Sequence, residues 1–374
     1  MKVAYVTNAS PQSGVGKPAR EILQRLQNEP EISLTNFHVD AAASQLLQDE
    51  RVEARVAPWP GVLSAKPFQW RRLARKLPQT KFDLWHFTNQ TLSFISREPA
   101  IVTVFDLIEL IAPQEKFGRP VARWLYSGIP RAKHLISVSQ YTKQTVQESY
   151  GVPDDRITVI PLAAAKTFRP DPDVKNSVAY HELVHTFGLT PQHRIVLYVG
   201  SEHPRKNLSV LVEAVSRVRQ EMPEVVLLKV GDAGVAHGHA QFLENIDTFG
   251  MRDAVKFYGN ADDEALRLLY NVADVFVFPS TFEGFGIPPL EAMACGCPVV
   301  SSNATSLSEV VGRAALLRDP ADAQGFADAI RQVLTDQKLT QDLRQRGLVQ
   351  AAKFSWETSA QKTLEVYRKM SAVT

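Results

Sequence analysis

Asp274-Val-Phe-Val-Phe278-Pro-Ser280-Thr-Phe-Glu283-Gly284-Phe285-Gly286-Ile287-Pro-Pro-Leu-Glu291 joins a short apolar run to a glycine-rich turn and then to the start of a helix. Val275 to Phe278 are apolar without alternation, and four residues are too few for a helix. Such a run reads as a strand of a parallel sheet covered on both faces. Pro288 and Pro289 suit a first helical turn, whose N–H groups lack intrahelical partners in any case. Working outward, the same unit recurs along the chain. Apolar runs rich in Val, Ile, Phe and Tyr occupy residues 3–7, 34–39, 84–87, 101–105, 135–138 and 157–161, and then 195–199, 225–230, 255–258, 275–278, 299–301 and 315–317. Periodic stretches such as 208–220 and 261–270 separate them. Strands alternating with helices predict an α/β chain, and six runs per half suit two doubly wound domains. A Pro-rich stretch opening at Phe168 breaks the pattern, so the expected division is 1–168 and 169–355. A last helix over 358–370, in the segment 356–374, crosses back to the first domain.

Composition agrees. The chain has 374 residues, 44% hydrophobic and 22% charged, with 19 Gly, 23 Pro and 2 Cys. That excludes a disordered, collagen-like or disulfide-built chain and leaves room for two or three domains. Cys295 and Cys297 flank one glycine, a spacing that suits neither a redox loop nor a zinc site. The opening residues MKVAYVTNAS run straight into a strand pattern, without the apolar core of a secretory leader, and no run is long enough to span a bilayer. A cytoplasmic location is expected. Residues 1–180 carry 23 Lys and Arg against 17 Asp and Glu, and the remainder 19 against 23. This asymmetry is too mild for a nucleic-acid-binding domain.

Three loops carry candidate chemistry. Ser13-Gly14-Val-Gly16-Lys17-Pro18-Ala19 follows the first strand and opens a helix, where backbone N–H groups and the dipole favour a phosphate. It is not a Walker loop, because Pro11 stands at the first glycine position and Pro18 at the Ser/Thr position. It does fit G-x-G-x-x-A, with Asp40 at the end of the next strand. An NAD(P)-dependent oxidoreductase is therefore one open reading.

The second loop is Gly200-Ser201-Glu-His203-Pro-Arg205-Lys206-Asn207. Two adjacent cations at a helix N-terminus oppose the dipole unless an anion sits between them, and a diphosphate would be that anion. The third is the opening stretch with its two acids, Glu283 and Glu291. Eight helical steps would separate them by about 12 Å, beyond the roughly 5–9.5 Å of a hydrolytic carboxylate pair. Two contacts along one elongated ligand fit better. Asp171-Pro-Asp173, the only D-x-D, lies in the Pro-rich stretch and does not read as a metal site. Lys66-Pro-Phe-Gln-Trp70-Arg71-Arg72-Leu73-Ala-Arg75-Lys76-Leu77 is basic and amphipathic, and can lie on an anionic membrane or pack on the first domain.

Taken together, Gly200–Asn207, the segment Phe257-Tyr-Gly259-Asn-Ala-Asp-Asp-Glu-Ala-Leu266 and the E-x7-E spacing from Glu283 to Glu291 resemble glycosyltransferase family 4. These are retaining GT-B-type nucleotide-sugar transferases, and the likeness runs over nearly the whole chain. The resemblance implies two Rossmann-like domains facing a cleft. It also implies transfer of a hexose from a nucleoside diphosphate sugar to an acceptor hydroxyl, with retention. The partners it implies are a nucleotide sugar and a carbohydrate or lipid-linked glycan acceptor, in polysaccharide or glycolipid synthesis. No metal or other cofactor is expected.

By that resemblance Glu283, Arg205 and Lys206 are the catalytic set. Glu283, Phe285 and Gly286 hold the sugar, Glu291 the ribose, and Arg205 with Lys206 the diphosphate. Gly14 and Gly16 face the phosphates, while Ser201, Gly259, Ser280, Gly284 and Ile287 complete the donor site. The Pro-Arg-Lys-Asn loop leans toward GDP-mannose, with UDP-glucose next. Two departures stand out. Ser201 occupies a position where many members carry Arg. In Thr103-Val-Phe105-Asp106-Leu107, Phe105 replaces the His that lies beside the donor sugar in other members. His86 and His203 are the candidates to substitute for it. A sugar-nucleotide-binding protein with little turnover is the remaining reading.

Overall fold

The structure is a computed structural model that describes residues 1–8, 13–38, 54–55, 81–111, 119–234 and 236–372. The chain divides into two compact units, residues 1–162 with 355–374, and residues 163–354. The break falls a little before the expected residue 168. Phe168 is the reason: its ring lies 5.8 Å from that of Tyr270 and is buried in the second unit.

In the first unit the strands are β1 (Lys2–Thr7), β2 (Ser33–His38), β3 (Ala54–Arg55), β4 (Leu84–Phe87), β5 (Ala100–Val104), β6 (His134–Ser137) and β7 (Ile157–Val159). They form one sheet in the order β3-β2-β1-β4-β5-β6-β7, every pairing parallel. The two-residue β3 is one strand more than the six expected. Its pairing with β2 is short, too short for an apolar pattern to announce it.

Both faces of this sheet are covered, as parallel strands require. On one face Ala4, Val6, Trp85, Phe87, Val102 and Val104 join a core with Leu92, Leu125 and Tyr126. On the other, Val3, Leu84, Ile101 and Ile136 pack against Ala360, Leu364, Tyr367 and Met370 of the C-terminal helix Trp356–Ser371. Ser355 caps that helix, its hydroxyl accepting from the Thr358 N–H at 3.1 Å. Polar ties hold its N-terminal end. Arg25 pairs with Glu357, and the Ser359 hydroxyl donates to the Pro161 carbonyl at 2.6 Å.

The second unit repeats the plan with β8 (Arg194–Val199), β9 (Val225–Val230), β10 (Val255–Gly259), β11 (Val275–Phe278), β12 (Val299–Ser302) and β13 (Ala315–Arg318). The order is β10-β9-β8-β11-β12-β13, again all parallel. In each sheet the chain lays strands outward from the first one, then returns to its other side. That reversal leaves a switch point between β1 and β4 and another between β8 and β11. Loops leave the two strands in opposite directions there, and a ligand crevice opens beyond their carboxyl ends.

Candidate active site

At the switch point of the second unit, Val275 pairs with Val196 and Phe276 with Leu197. Two loops consequently meet although far apart in sequence: Gly200–Asn207 beyond β8, and Pro279–Gly286 beyond β11. Hydrogen bonds stitch them together. The Thr281 N–H donates to the Arg205 carbonyl at 2.8 Å. Asn207, held at φ 59°, donates through Nδ2 to the carbonyls of Pro279 (3.1 Å) and Pro320 (2.6 Å). Asparagine tolerates that left-handed backbone, and its side chain spans to the second loop instead of capping the helix Leu208–Arg219 that follows. The helix N-terminus is thereby left without a side-chain cap.

The two cations and the first acid of the sequence motifs converge here. Lys206 Nζ lies 2.6 Å from Glu283 Oε1, and Arg205 Nη1 lies 3.1 Å from Glu283 Oε2. Arg205 also donates to the Phe282 carbonyl at 3.1 Å, and the Lys206 ammonium sits 5.0 Å above the centre of the Phe278 ring. Both Lys206 and Glu283 are buried. Burial by itself pushes the Glu283 carboxyl up, but Lys206 and Arg205 outweigh it, and its pKa falls below the ordinary carboxylate value. Glu283 is thus ionised and serves as internal counterion to two cations.

A third stretch of chain fixes the backbone around Glu283. The Thr305 hydroxyl accepts from the Glu283 N–H and donates to its carbonyl, both at 3.0 Å. The Ser306 hydroxyl lies 2.9 Å from the Glu283 carbonyl and 3.0 Å from that of Phe285. Gly286 then takes φ 106° as N-cap of the helix Ile287–Ala294, and a Cβ there would come within 2.6 Å of Leu307 Cδ2. Gly284 and Phe285 lie on the same turn, and Ile287 begins the helix.

Glu291 lies inside that helix, buried, with Oε2 accepting from the Tyr270 hydroxyl at 3.1 Å. Only the steps from Ile287 onward are helical, so Glu283 and Glu291 stand on different elements. Burial, reinforced by Glu291, raises the Tyr270 phenol well above its ordinary pKa and keeps it a donor. Ser280 is fully buried, its carbonyl accepting from the Ser302 hydroxyl. Ser201 has its carbonyl held by the Tyr198 hydroxyl at 2.9 Å, and Gly259 ends β10 with its carbonyl accepting from the Gly231 N–H at 2.6 Å. His203 is buried and precedes the short turn Pro204–Lys206.

Residues that motif reading passed over prove central to this arrangement. Tyr270 and Thr305 announce nothing in sequence. Glu202, Lys229 and His239 form a further polar group next to the Arg205–Lys206 turn. One signal for it was present, a lysine inside the apolar strand Val-Val-Leu-Leu-Lys229-Val.

In the first unit the Ser13 hydroxyl accepts from the Gly16 N–H at 3.0 Å, closing the turn through Gly14 that begins the helix Gly16–Leu26. His86 does not behave as a free acid–base group. It is buried, with Nδ1 2.6 Å from the Tyr367 hydroxyl and Nε2 2.8 Å from Thr103 Oγ1, and burial lowers its pKa to about 3. It is a neutral core histidine. Phe105 is also buried, its carbonyl accepting from the Thr142 hydroxyl at 3.1 Å. Asp106 Oδ1 accepts from the Ile108 N–H at 3.1 Å at the start of a short helix, Ile108–Ile111. Asp40 and the basic segment 66–77 lie outside the described residues.

The linker acid Asp171 is ion-paired with Arg267 at 2.7 Å, and among the described residues no group of His, Cys, Asp or Glu is placed to hold a metal ion. Cys295 and Cys297 are buried free thiols, and burial raises both, Cys295 to about 12. No described helix is long and apolar enough to cross a membrane.

Comparison with known proteins places the chain in a family. Residues 14–164 match the description Glycosyltransferase Family 4, and residues 185–349 match Glycosyl transferases group 1. The chain is 31% identical to the O-antigen chain mannosyltransferase B of Escherichia coli, over 98% of its own length and 100% of that protein. It is 32% identical to the Escherichia coli serotype-specific mannosyltransferase WbdA over 71% of this chain, an alignment that spans 33% of that longer protein. Among solved structures, Anabaena HepE in complex with UDP and glucose superposes with a TM-score of 0.80 at 23% identity, covering 99% of this chain and 100% of HepE. The sucrose-phosphate synthase of Thermosynechococcus elongatus gives 0.79 at 22%, covering both chains fully. The fold is that of a two-unit GT-B-type glycosyltransferase, and an oxidoreductase is set aside. This chain belongs to glycosyltransferase family 4.

Proposed function

We propose that the protein transfers a hexosyl residue from a nucleoside diphosphate sugar, mannosyl from GDP-mannose by preference and glucosyl from UDP-glucose second, to an acceptor hydroxyl of a growing polysaccharide or glycolipid. Retention of the anomeric configuration is part of the proposal. The observation that carries it is the Arg205–Glu283–Lys206 group beside an uncapped helix N-terminus at the switch point. The family membership and the 31% identity to a mannosyltransferase support the choice of sugar.

In this reading the diphosphate enters against Arg205, Lys206 and the first N–H groups of Leu208–Arg219. Its charge takes over from Glu283 part of the neutralisation of the two cations. Glu283, relieved of that duty, accepts hydrogen bonds from the sugar hydroxyls. Glu291 lies deeper and receives the ribose. The reaction breaks the bond between the anomeric carbon and the β-phosphate oxygen and forms one to the acceptor oxygen. The acceptor's proton leaves with the nucleoside diphosphate. Charge grows on the leaving diphosphate in the transition state, where preorganised cations contribute most. No metal is invoked. The acceptor is assigned to the first unit, a glycan or lipid-linked glycan, with contact to the inner membrane surface through 66–77.

The Phe105 phenyl group, which can carry no proton, favours a second reading, a binder with little turnover. A donor panel of GDP-mannose, UDP-glucose and NADH, read by thermal shift and by product release, tests both. Stabilisation by GDP-mannose together with transfer or donor hydrolysis supports the proposal. Binding without release of nucleoside diphosphate supports the second reading, and stabilisation by NADH alone would overturn both.

A further inference from the structure

Beside the phosphate loop, the second unit contains a buried ionic cluster that takes no part in the donor contacts proposed above. Glu202 is almost wholly buried, one carboxylate oxygen 2.5 Å from Lys229 Nζ and the other hydrogen-bonded to His239 Nδ1. Lys229, at the carboxyl end of β9, is also buried, and donates to the carbonyls of Gly231 (2.7 Å) and Asp232 (2.9 Å). The helix Ala236–Thr248 that carries His239 leans on the same loop. A Cβ at Gly238 would come within 1.9 Å of the Glu202 carbonyl oxygen, so only glycine permits this approach. From the other side the Tyr198 hydroxyl holds the Ser201 carbonyl at 2.9 Å. Two residues after Glu202 the turn Pro204–Lys206 begins, closed by the Lys206 N–H on the His203 carbonyl at 2.8 Å.

A buried ion pair seldom adds stability over an apolar one of the same volume, because desolvation offsets the attraction. Fold stability is thus a weak reason for this one. Its position suggests another. It fastens the loop three residues before Arg205 and four before Lys206, and binding groups gain most when their backbone is fixed before the ligand arrives.

We infer that Glu202 is a positioning residue for the diphosphate site. Its carboxylate, gripped by Lys229 and His239, anchors the Gly200–Asn207 loop so that Arg205 and Lys206 are set for an incoming diphosphate. The inference rests on the donor-site reading above, but the anchoring itself can be tested without it.

His239 is the partly exposed member of the cluster, so His239→Ala removes a single anchoring bond with little threat to folding. The loss of such a charge-assisted bond is expected to weaken binding of GDP and of UDP roughly tenfold by calorimetry, and to raise donor KM by a similar factor with kcat little changed. Amide hydrogen exchange in 200–207 should quicken while the melting temperature holds. His239→Asn, whose Nδ2–H can stand in for Nδ1–H, should restore exchange and affinity. Glu202→Gln, which keeps the shape but leaves Lys229 a buried cation without its counterion, should show the same faster exchange and weaker affinity together with a lower melting temperature. Wild-type exchange and diphosphate affinity in folded His239→Ala and Glu202→Gln would overturn the anchor. A wild-type protein that binds neither GDP nor UDP would instead overturn the donor site, and the exchange rates would still decide whether the loop is anchored.

Discussion

Lys206 Nζ lies 2.6 Å from Glu283 Oε1 across 77 positions of sequence, both side chains buried, with Arg205 on the second carboxylate oxygen. In the proposed function the pair is a donor-site cation and its own stored counterion. On that proposal a diphosphate competes with Glu283 for Lys206 and Arg205, and the same competition assists product release.

Glu283→Gln separates these roles. Transfer is expected to fall by about a hundredfold or more, because the sugar loses a charged acceptor. Free GDP or UDP should bind no more weakly than to wild type, since the cations lose their internal competitor. Parallel measurement of product release and nucleotide calorimetry checks this. Weaker nucleotide binding in a folded variant would show that Glu283 holds the cations in place instead of competing for them.

Lys206→Ala leaves Arg205 to neutralise Glu283, so the fold should persist. Donor affinity should drop roughly tenfold to a hundredfold through the lost charge-assisted contact. Titration of GDP-mannose, with circular dichroism as the folding control, is the measurement. Unchanged affinity would remove Lys206 from the diphosphate site.

Gly286→Ala places a Cβ at φ 106° and 2.6 Å from Leu307 Cδ2. Backbone strain of this kind costs about 1–3 kcal/mol. The urea midpoint should fall accordingly, and transfer should fall further than stability does, because the turn carries Glu283. A variant as stable and active as wild type would contradict this account of the turn.

Phe105→His tests the missing imidazole. The site is buried and apolar, lined by neighbours such as Ile136 and Leu162. A histidine there would be held neutral by desolvation, as His86 is. Turnover is expected to be no higher than in wild type. A rise in kcat would identify the natural chain as impaired at this position.

Acid should unfold the first unit early. Burial lowers His86 to about 3 and His134 to about 4, against an ordinary 6.5. A histidine whose pKa falls on folding takes its proton more readily in the unfolded chain. Its contribution is present above about pH 6.5 and is lost progressively toward pH 3–4. Denaturant midpoints measured between pH 7.5 and 4.5 should fall, and less steeply in His86→Gln. A flat profile over that interval would exclude the effect.

The apolar runs, their alternation with helices and the glycine–proline turn at 279–291 are local properties, and they determined an α/β chain of two doubly wound halves. Local too was the charge pattern of Arg205, Lys206, Glu283 and Glu291, because residue type and spacing carry it. Tertiary structure decided what depends on distant neighbours. Strand order, and not sequence order, places β11 beside β8 and brings Glu283 onto Lys206. His86 looked like a replacement for the missing imidazole until its burial between Tyr367 and Thr103 made it a neutral core residue. Phe168 moved to the second unit because Tyr270 packs on it. Glu202 was an unremarked letter in a loop motif. Its role emerged only once β9 supplied Lys229, because desolvation and partner geometry are set by three-dimensional neighbours and leave no periodic trace in the chain.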